Sequence, residues 1–451
     1  MHLADEQYVK RNSNNFTSFE CLGLKVDASA FYPAIESYYG YGELPFLRVA
    51  DVNSIIDFQS CTTIPEYICD LYPTLAKVFP GDIIFTKGGS VARIGLVSQK
   101  AAASRDLIFL NSSDLSEQEQ IFLYLYFQTN FFNRLLLRSS SQTAQPHLTI
   151  TLVRNLPVLI TGSKQLQELC TRIVKESYNL RELSTEYKKN AEQLLVHHLE
   201  LDNWQPPEPI SYTKNATFVV ASGRIDAEHF LPKFEALEAH INLKRNVVSL
   251  SSLLDIKQRG NQPEYAESGD IPVINSKHVQ NGDVKLDEDN RKAILGKDIL
   301  TIQPGDVLVN GTGVGTIGRA APYLHQCIAV PDNHVTVLRP KVGSIDAVYL
   351  SVFLNSIVGR WQVEKWFRGS SGQIELYPED IGNFQVWIAP DGIQSSIRCS
   401  IESAFNAKQK SIDLLNIAKQ AIEIAIVESE ASALQYLNTI KGVESDAKHI
   451  Y

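Results

Sequence analysis

The run Gly311-Thr312-Gly313-Val314-Gly315-Thr316-Ile317-Gly318 is the segment of this chain whose composition most invites a chemical role. It follows an apolar, β-branched run, as a dinucleotide-binding loop follows its strand. Such a loop must open a helix whose first amides hold the pyrophosphate. Here Arg319-Ala320-Ala321-Pro322-Tyr323 comes next and reads as a second strand and a turn, with Pro322 leaving no room for that helix. The run therefore predicts a tight β-turn that brings backbone near DNA or a protein partner. No Gly-x-x-x-x-Gly-Lys-Ser/Thr phosphate loop and no His-Glu-x-x-His helix is present. His197-His198 has no third ligand at usable spacing and reads as a solvated helix end. The Ser139–Ser141 run and the Ser370-Ser371 pair lack a His and an Asp in recognisable order. The Asn/Asp-Pro-Pro-Tyr motif of amino-methyltransferases and an acid–acid–lysine nuclease signature are also missing. The chain reads as a non-enzyme without a cofactor or metal of its own.

Two polar loops are better suited to binding. Arg138-Ser139-Ser140-Ser141-Gln142 and Arg368-Gly369-Ser370-Ser371-Gly372-Gln373 each offer a guanidinium, hydroxyls and an amide. Arginine pairs with guanine and glutamine with adenine through two hydrogen bonds, and hydroxyls hold phosphates. The DNA-contact candidates are Lys87, Arg93, Arg138, Ser140, Gln142, Lys277, Asn310, Thr312, Arg319, Arg368, Ser370, Ser371 and Gln373. The plainer reading is that these loops are polar because they face water.

The net charge of −9 argues against binding nucleic acid by bulk charge, although local basic surfaces remain open to it. No run of about 18 uncharged apolar residues occurs, and the polar, acidic N-terminus lacks the regions of a signal peptide, so a cytoplasmic protein without a membrane partner is expected. The six cysteines never fall at metal-ligand spacing and are expected to be free, buried thiols.

The elements that position the loops come in duplicate. Leu44-Pro45-Phe46-Leu47 returns as Ile271-Pro272-Val273-Ile274, and Pro80-Gly81-Asp82-Ile83-Ile84 as Pro304-Gly305-Asp306-Val307-Leu308. Arg93-Ile94-Gly95 is answered by Thr316-Ile317-Gly318-Arg319, and the Arg138 loop by the Arg368 loop. Asp27-Ala28-x-x-Phe31-x-Pro33 also returns, as Asp226-Ala227-x-x-Phe230-x-Pro232. On that pairing the first copy is trimmed, since Pro33 to Pro45 is much shorter than Pro232 to Pro272. A repeat this long is a duplicated domain, because solenoid periods run about 20–50 residues. Each half is a mixed α/β region of short strands and helices, an α+β class overall, and each closes on a long helix.

Both closing helices carry a heptad pattern. In the first, Leu166, Ile173, Leu180, Tyr187 and Leu194 recur every seven residues, with Leu169 and Leu183 between them. In the second, Ile401, Phe405, Ile412, Leu415, Ile422 and Ile426 keep a similar alternation. Each could run about 50 Å at 1.5 Å per residue. The economical way to bury both stripes is for the helices to pack on each other. The pattern sets expected boundaries of 1–162 for the first domain, 163–204 for its helix, 205–392 for the second domain, 393–436 for its helix and 437–451 for a polar tail.

This layout resembles the specificity subunits of type I restriction–modification systems. The likeness is carried by Arg224-Ile225-Asp226-Ala227-Glu228-His229-Phe230-Leu231-Pro232, by Gly269 to Ile274, by Pro304–Leu308 and by Gly315–Gly318, in that order and with the duplication and the two helices. The resemblance implies two target-recognition domains, each reading half of a bipartite, asymmetric double-stranded DNA site. It implies an antiparallel helix pair that sets the gap and docks two methyltransferase subunits, which carry S-adenosylmethionine, with restriction subunits joining that core. Alternatives are the recognition subunit of a fused methylase–nuclease system and a two-module protein adaptor that binds no DNA.

Overall fold

The computed structural model describes Val9 and residues 16–87, 93–139, 148–160, 163–266, 268–286, 290–294, 296, 299–369, 372 and 374–447. It divides into two compact units: Met1–Arg181 with Gln409–Tyr451, and Glu182–Lys408.

Unit 1 runs β1 (Phe16–Ser18), β2 (Lys25–Asp27), β3 (Leu44–Leu47), β4 (Thr63–Ile64), α1 (Tyr67–Leu71), β5 (Lys77–Val78), β6 (Ile83–Thr86), β7 (Ile94–Leu96), β8 (Ala101–Ala103) and β9 (Leu107–Asn111). Then come α2 (Glu117–Phe127), α3 (Asn130–Ser139), α4 (Ile150–Arg154), β10 (Pro157–Leu159) and the start of α5 (Lys164–His198). Its sheets are β2-β9-β6-β7 and β4-β3-β8-β5, and β1 pairs with β10. Ser116 and Glu119 cap α2 reciprocally, and Ile121–Phe127 of this helix is buried on every face against the sheet.

Unit 2 runs α6 (Ala216–Ser222), α7 (Pro232–Ile241), β11 (Val247–Ser249), β12 (Leu254–Arg259), β13 (Ile271–Ile274), β14 (Val279–Gln280), β15 (Asp283–Val284), β16 (Lys292–Ala293), β17 (Val307–Asn310), β18 (Ala320–Pro322), β19 (Val330–Pro331) and β20 (Val335–Pro340). Then follow α8 (Ala347–Asn355), α9 (Ile357–Trp366), α10 (Pro378–Gly382), β21 (Gln385–Trp387) and the start of α11 (Asp391–Val427); a last helix, α12 (Glu430–Ala447), belongs to unit 1. Its sheets repeat those of unit 1: β12-β20-β17-β18 answers β2-β9-β6-β7, and β16-β13-β19 answers β4-β3-β8, with β11 pairing with β21 as β1 does with β10.

The two units share devices that local sequence shows only in part. Asp82 and Asp306 are buried behind the Pro-Gly corners, where Gly81 (φ 94°) and Gly305 (φ 92°) take the left-handed backbone. Each aspartate accepts from the amide three residues back, Phe79 in one unit and Gln303 in the other, both at 2.8 Å. Asp306 also grips Arg339 through two hydrogen bonds of 2.7 and 2.8 Å. Gln128 donates to the Ile94 carbonyl and Asn355 to that of Ala320, both at 2.6 Å, so a carboxamide at the C-terminal end of each buried helix ties down the same strand.

Matched strands are offset by 224 to 231 residues. Asp226 follows Asp27 by only 199, and the structure shows why. Asp27 ends β2, after β1, whereas Asp226 stands just before a short 3-10 turn that precedes α7 and β11. The two Asp-Ala motifs occupy different places, so this part of the repeat is coincidental. The first unit is not trimmed: its β2–β3 connection is longer than the β12–β13 connection.

The long helices pair antiparallel. Within unit 1 the Ser177 hydroxyl lies 2.8 Å from the Ser411 carbonyl and 3.0 Å from its hydroxyl. Within unit 2 the Ser184 hydroxyl donates to the Ala404 carbonyl at 2.7 Å. Seven residues forward on α5 match seven residues back on α11. Cys170, Ser177 and Ala191 on α5, and Ala404, Ser411 and Ala418 on α11, have no solvent exposure. The seven-residue period is therefore present, but the line of nearest approach is small residues, one position off the expected stripe. Of the expected seam, Leu166, Ile401, Leu415, Ile422 and Ile426 are buried, while Ile173, Leu180, Leu194 and Phe405 are half-buried. Leu183 and Ile412 face outward, and Phe405 packs edge-on against His325 of its own unit. Leu166, Leu169, Cys170 and Val174 share one core with Leu415, Ala418 and Ile422, so this end of the helix pair is part of unit 1, as Ala191, Leu195, Ile397 and Ile401 are part of the core of unit 2.

The cysteines are free, yet Cys21, Cys327 and Cys399 are exposed, contrary to the expected burial. No helix among the described residues is long and apolar enough to cross a membrane. The seam assignment makes a test. Ser184→Leu should overpack the helix contact and lower stability by about 1–3 kcal/mol, whereas Ile412→Ser should stay within about 0.5 kcal/mol of the parent. Urea unfolding of the full chain reads both, and the reverse ranking would restore the expected stripe.

Candidate nucleic-acid interface

The Gly311–Gly318 run is a turn between antiparallel β17 and β18, with Gly313, Gly315 and Gly318 at φ 95°, 77° and 77° and no helix following. It therefore cannot present a row of helix amides to a pyrophosphate. Side chains would be crowded along the run: a Cβ on Gly311 would meet the Arg259 guanidinium at 2.8 Å, and one on Gly318 the Val363 side chain at 2.5 Å. Arg259, at the end of β12, donates to the Leu376 carbonyl at 2.9 Å and lies over the Tyr377 ring at 5.2 Å. On the same turn Thr312 and His334 are hydrogen-bonded at 3.0 Å.

Arg368 comes just after α9. Its backbone pairs with Glu375 across the loop at 2.7 and 2.8 Å. Its guanidinium is held by Asp380 of α10, Nε at 3.1 Å and Nη2 at 2.8 Å, and sits 5.9 Å from the Tyr377 ring centre. The Asp380 side chain is 3 % exposed and that of Arg368 55 %, so a buried carboxylate aims a solvent-facing cation. That hydrogen bond also keeps the Arg368 guanidinium protonated more firmly than usual.

The Arg224–Pro232 motif holds the end of α9. Arg224 donates to the Trp366 and Phe367 carbonyls at 3.1 and 3.2 Å and pairs with Asp226 through Nε at 2.8 Å. His229 Nδ1 meets the Lys365 carbonyl at 2.6 Å and its ring stands edge-on to Trp366. These contacts satisfy the last carbonyls of the helix, which have no partner inside it. The motif quoted for its resemblance thus positions the turn from which Arg368 projects.

The other candidates separate. Arg93 and Arg319 take matching places, each one residue before the second strand of its hairpin, β7 or β18. Arg93 is exposed and Arg319 half-buried. Lys87 occupies the place of Gly311, since Leu148 donates to its carbonyl as Leu376 does to that of Gly311. Burial holds the Lys87 ammonium below its usual pKa, and it donates to the Arg105 carbonyl. Lys277 is exposed. Asn310 is fully buried and its amide donates to the Ser276 carbonyl at 2.9 Å, so it braces the fold and cannot reach a groove. Ser140, Gln142, Ser370, Ser371 and Gln373 lie outside the described residues, and of Arg138 only the backbone, in α3, is described. Sequence reasoning missed Arg259, Tyr377 and Asp380. Only the spacing of Asp380, two residues into the short helix after the Arg368 loop, could have hinted at a carboxylate within reach.

No protein-family model matches the chain, and no curated protein does. Solved structures do. This chain is similar to type I restriction–modification specificity subunits. The S subunit from M. genitalium is 14% identical, with 94% of this chain and 95% of that chain covered at a TM-score of 0.36. The HsdS subunit from Thermoanaerobacter tengcongensis is 15% identical, with 88% of each chain covered at 0.27. A chain from a structure of type I system assembly and conformational transition is 14% identical, with 87% of this chain and 90% of that chain covered at 0.27.

The clamp on α9 should respond to pH. Burial lowers the His229 pKa and the Arg224 hydrogen bond lowers that of Asp226. A depressed pKa means the unfolded segment takes up protons that the folded one refuses, so the contribution is complete above the unfolded value and is lost as pH falls through the folded one. For His229 that loss begins below about pH 6.5. Hydrogen exchange at the Phe367 and Arg368 amides, corrected for intrinsic rates, should accelerate between pH 7.5 and 5.5, and His229→Gln should remove the dependence. Unchanged protection across that range would contradict the role given to His229.

Proposed function

We propose that this chain is the sequence-specific DNA-recognition subunit of a type I restriction–modification complex and is itself non-catalytic. Each unit reads one half of a bipartite, asymmetric site in double-stranded DNA. The helix pair sets the gap between the halves and docks two methyltransferase subunits, which bring S-adenosylmethionine, and restriction subunits complete the assembly in the cytoplasm.

One observation carries the reading. A single fold occurs twice, each copy shares its core with part of one antiparallel helix pair, and the exposed turns of the copies differ. In unit 2 the N-cap and third residue of α10 are Tyr377 and Asp380; at the matching places of α4 in unit 1 stand Thr149 and Leu152. A common scaffold with unlike edges suits two unlike half-sites. A stiff pair of helices suits DNA because the rise per base pair is fixed, so spacing becomes part of recognition.

Inserting seven residues in each helix, in register on either side of the Ser177–Ser411 contact, should change the permitted gap and leave both half-sites as they were. The measurement is the methylated motif in cells expressing the altered chain with its partners. A changed half-site at constant gap would contradict the spacer role. Binding of the assembled complex to DNA should weaken steeply with salt, since phosphate contacts release counterions. Salt-insensitive association without DNA would favour the adaptor.

A further inference from the structure

Two guanidiniums converge on one tyrosine ring at the edge of unit 2, and their hydrogen-bonding capacity is unequally used. Arg368 spends Nε and one Nη2 hydrogen on the buried Asp380. Its Nη1 has no hydrogen-bond partner among the described residues, so the outer Nη1–Nη2 edge of this 55 % exposed side chain still carries two parallel N–H groups. Arg259 spends Nη2 on the Leu376 carbonyl, and its buried Nε has no hydrogen-bond partner among the described residues. The Tyr377 ring, 39 % exposed, has the two cations 5.2 and 5.9 Å from its centre. Glu375 sits 3.9 Å from Arg259, and its carboxylate raises the pKa of the Tyr377 phenol.

The geometry points to Arg368 as the residue of unit 2 that reads a guanine, with Asp380 as its positioning residue and Tyr377 as the platform under its guanidinium. This rests on the DNA-recognition reading above. The required partner is a planar edge with two acceptors, which guanine O6/N7 and a phosphodiester both offer. The surrounding charge decides between them. Two arginines are balanced by two carboxylates, Asp380 and Glu375, so the cluster has no surplus charge for an anion. A phosphate would approach against both carboxylates, whereas a neutral base edge would not. A guanidinium fixed on one side by a carboxylate also loses little freedom on binding, which favours selectivity over mere attraction. Unit 1 has no such set at the matching turn, where Thr149 and Leu152 replace Tyr377 and Asp380. One guanine in one half-site is therefore expected, with no counterpart read this way in the other.

The test replaces the chain in cells that contain its partner subunits with Arg368→Ala, Arg368→Lys or Asp380→Asn and reads the methylated motif by single-molecule sequencing. Arg368→Ala and Arg368→Lys should relax selectivity at one guanine position by roughly ten- to hundredfold. Asp380→Asn, which leaves Arg368 in place, should relax the same position less. The second half-site and the gap should stay unchanged, and chain abundance and melting temperature identify any variant that fails to fold; Arg368→Lys then stands in for Arg368→Ala. An unaltered motif in the folded variants, or a uniform fall in methylation across all sites, would overturn guanine reading, the latter by assigning Arg368 to the DNA backbone. Parent cells whose methylated motifs owe nothing to this chain would overturn the DNA-recognition reading itself, and this inference with it.

Discussion

The close line of serines and alanines between the two long helices is the constraint on which the rest depends. Hydroxyls of Ser177 and Ser184 reach the backbone carbonyls of the facing helix, a contact possible only where no larger side chain keeps the backbones apart. These hydroxyls also satisfy themselves in a dry seam, where an unpaired polar group would cost about 1–3 kcal/mol. The seam fixes one antiparallel register. It also makes unit 1 discontinuous, since its core needs residues beyond Gln409 as well as those before Arg181. That unit cannot close until the last helix of the chain is present, a long-range requirement that favours slow, late assembly.

Around that constraint the units keep the same internal braces and change what they show to water. Asp82 and Asp306 close the same corner, and Gln128 and Asn355 hold the same strand. At the exposed turn the equivalence ends. Lys87 stands where Gly311 leaves space for Arg259, so each unit carries a cation there on a different residue. Fold and edge are separable in this protein: buried polar groups specify the first, and the second can vary without disturbing them.

Much of this was legible in the residues. The Pro-Gly-Asp corners, the paired Ile-Pro and Leu-Pro strands and the seven-residue period all announce two similar domains with long helices. The phase of the period was not legible, because alanine and serine carry no hydrophobic signal and the flanking leucines and isoleucines do. Leu183 and Ile412 were drawn into the seam for that reason, yet they face outward. The Asp-Ala pairing misled because a short motif repeats by chance more easily than a sheet order does. Asn310 looked like a DNA contact because it ends a strand beside a glycine turn; its burial follows from a neighbouring loop that local sequence does not reveal. Arg368 was visible, but its partner Asp380 became meaningful only when the loop brought the two within 2.8 Å.

The central claim is that this chain chooses a DNA sequence through two unequal readers held at a fixed spacing. Comparing the methylated motifs of cells with and without this chain, its partner subunits being present in both, tests it most directly. The account predicts that one gapped motif with two dissimilar halves disappears when the chain is removed. Identical methylated motifs in the two strains, with the partner subunits shown to be active, would contradict it.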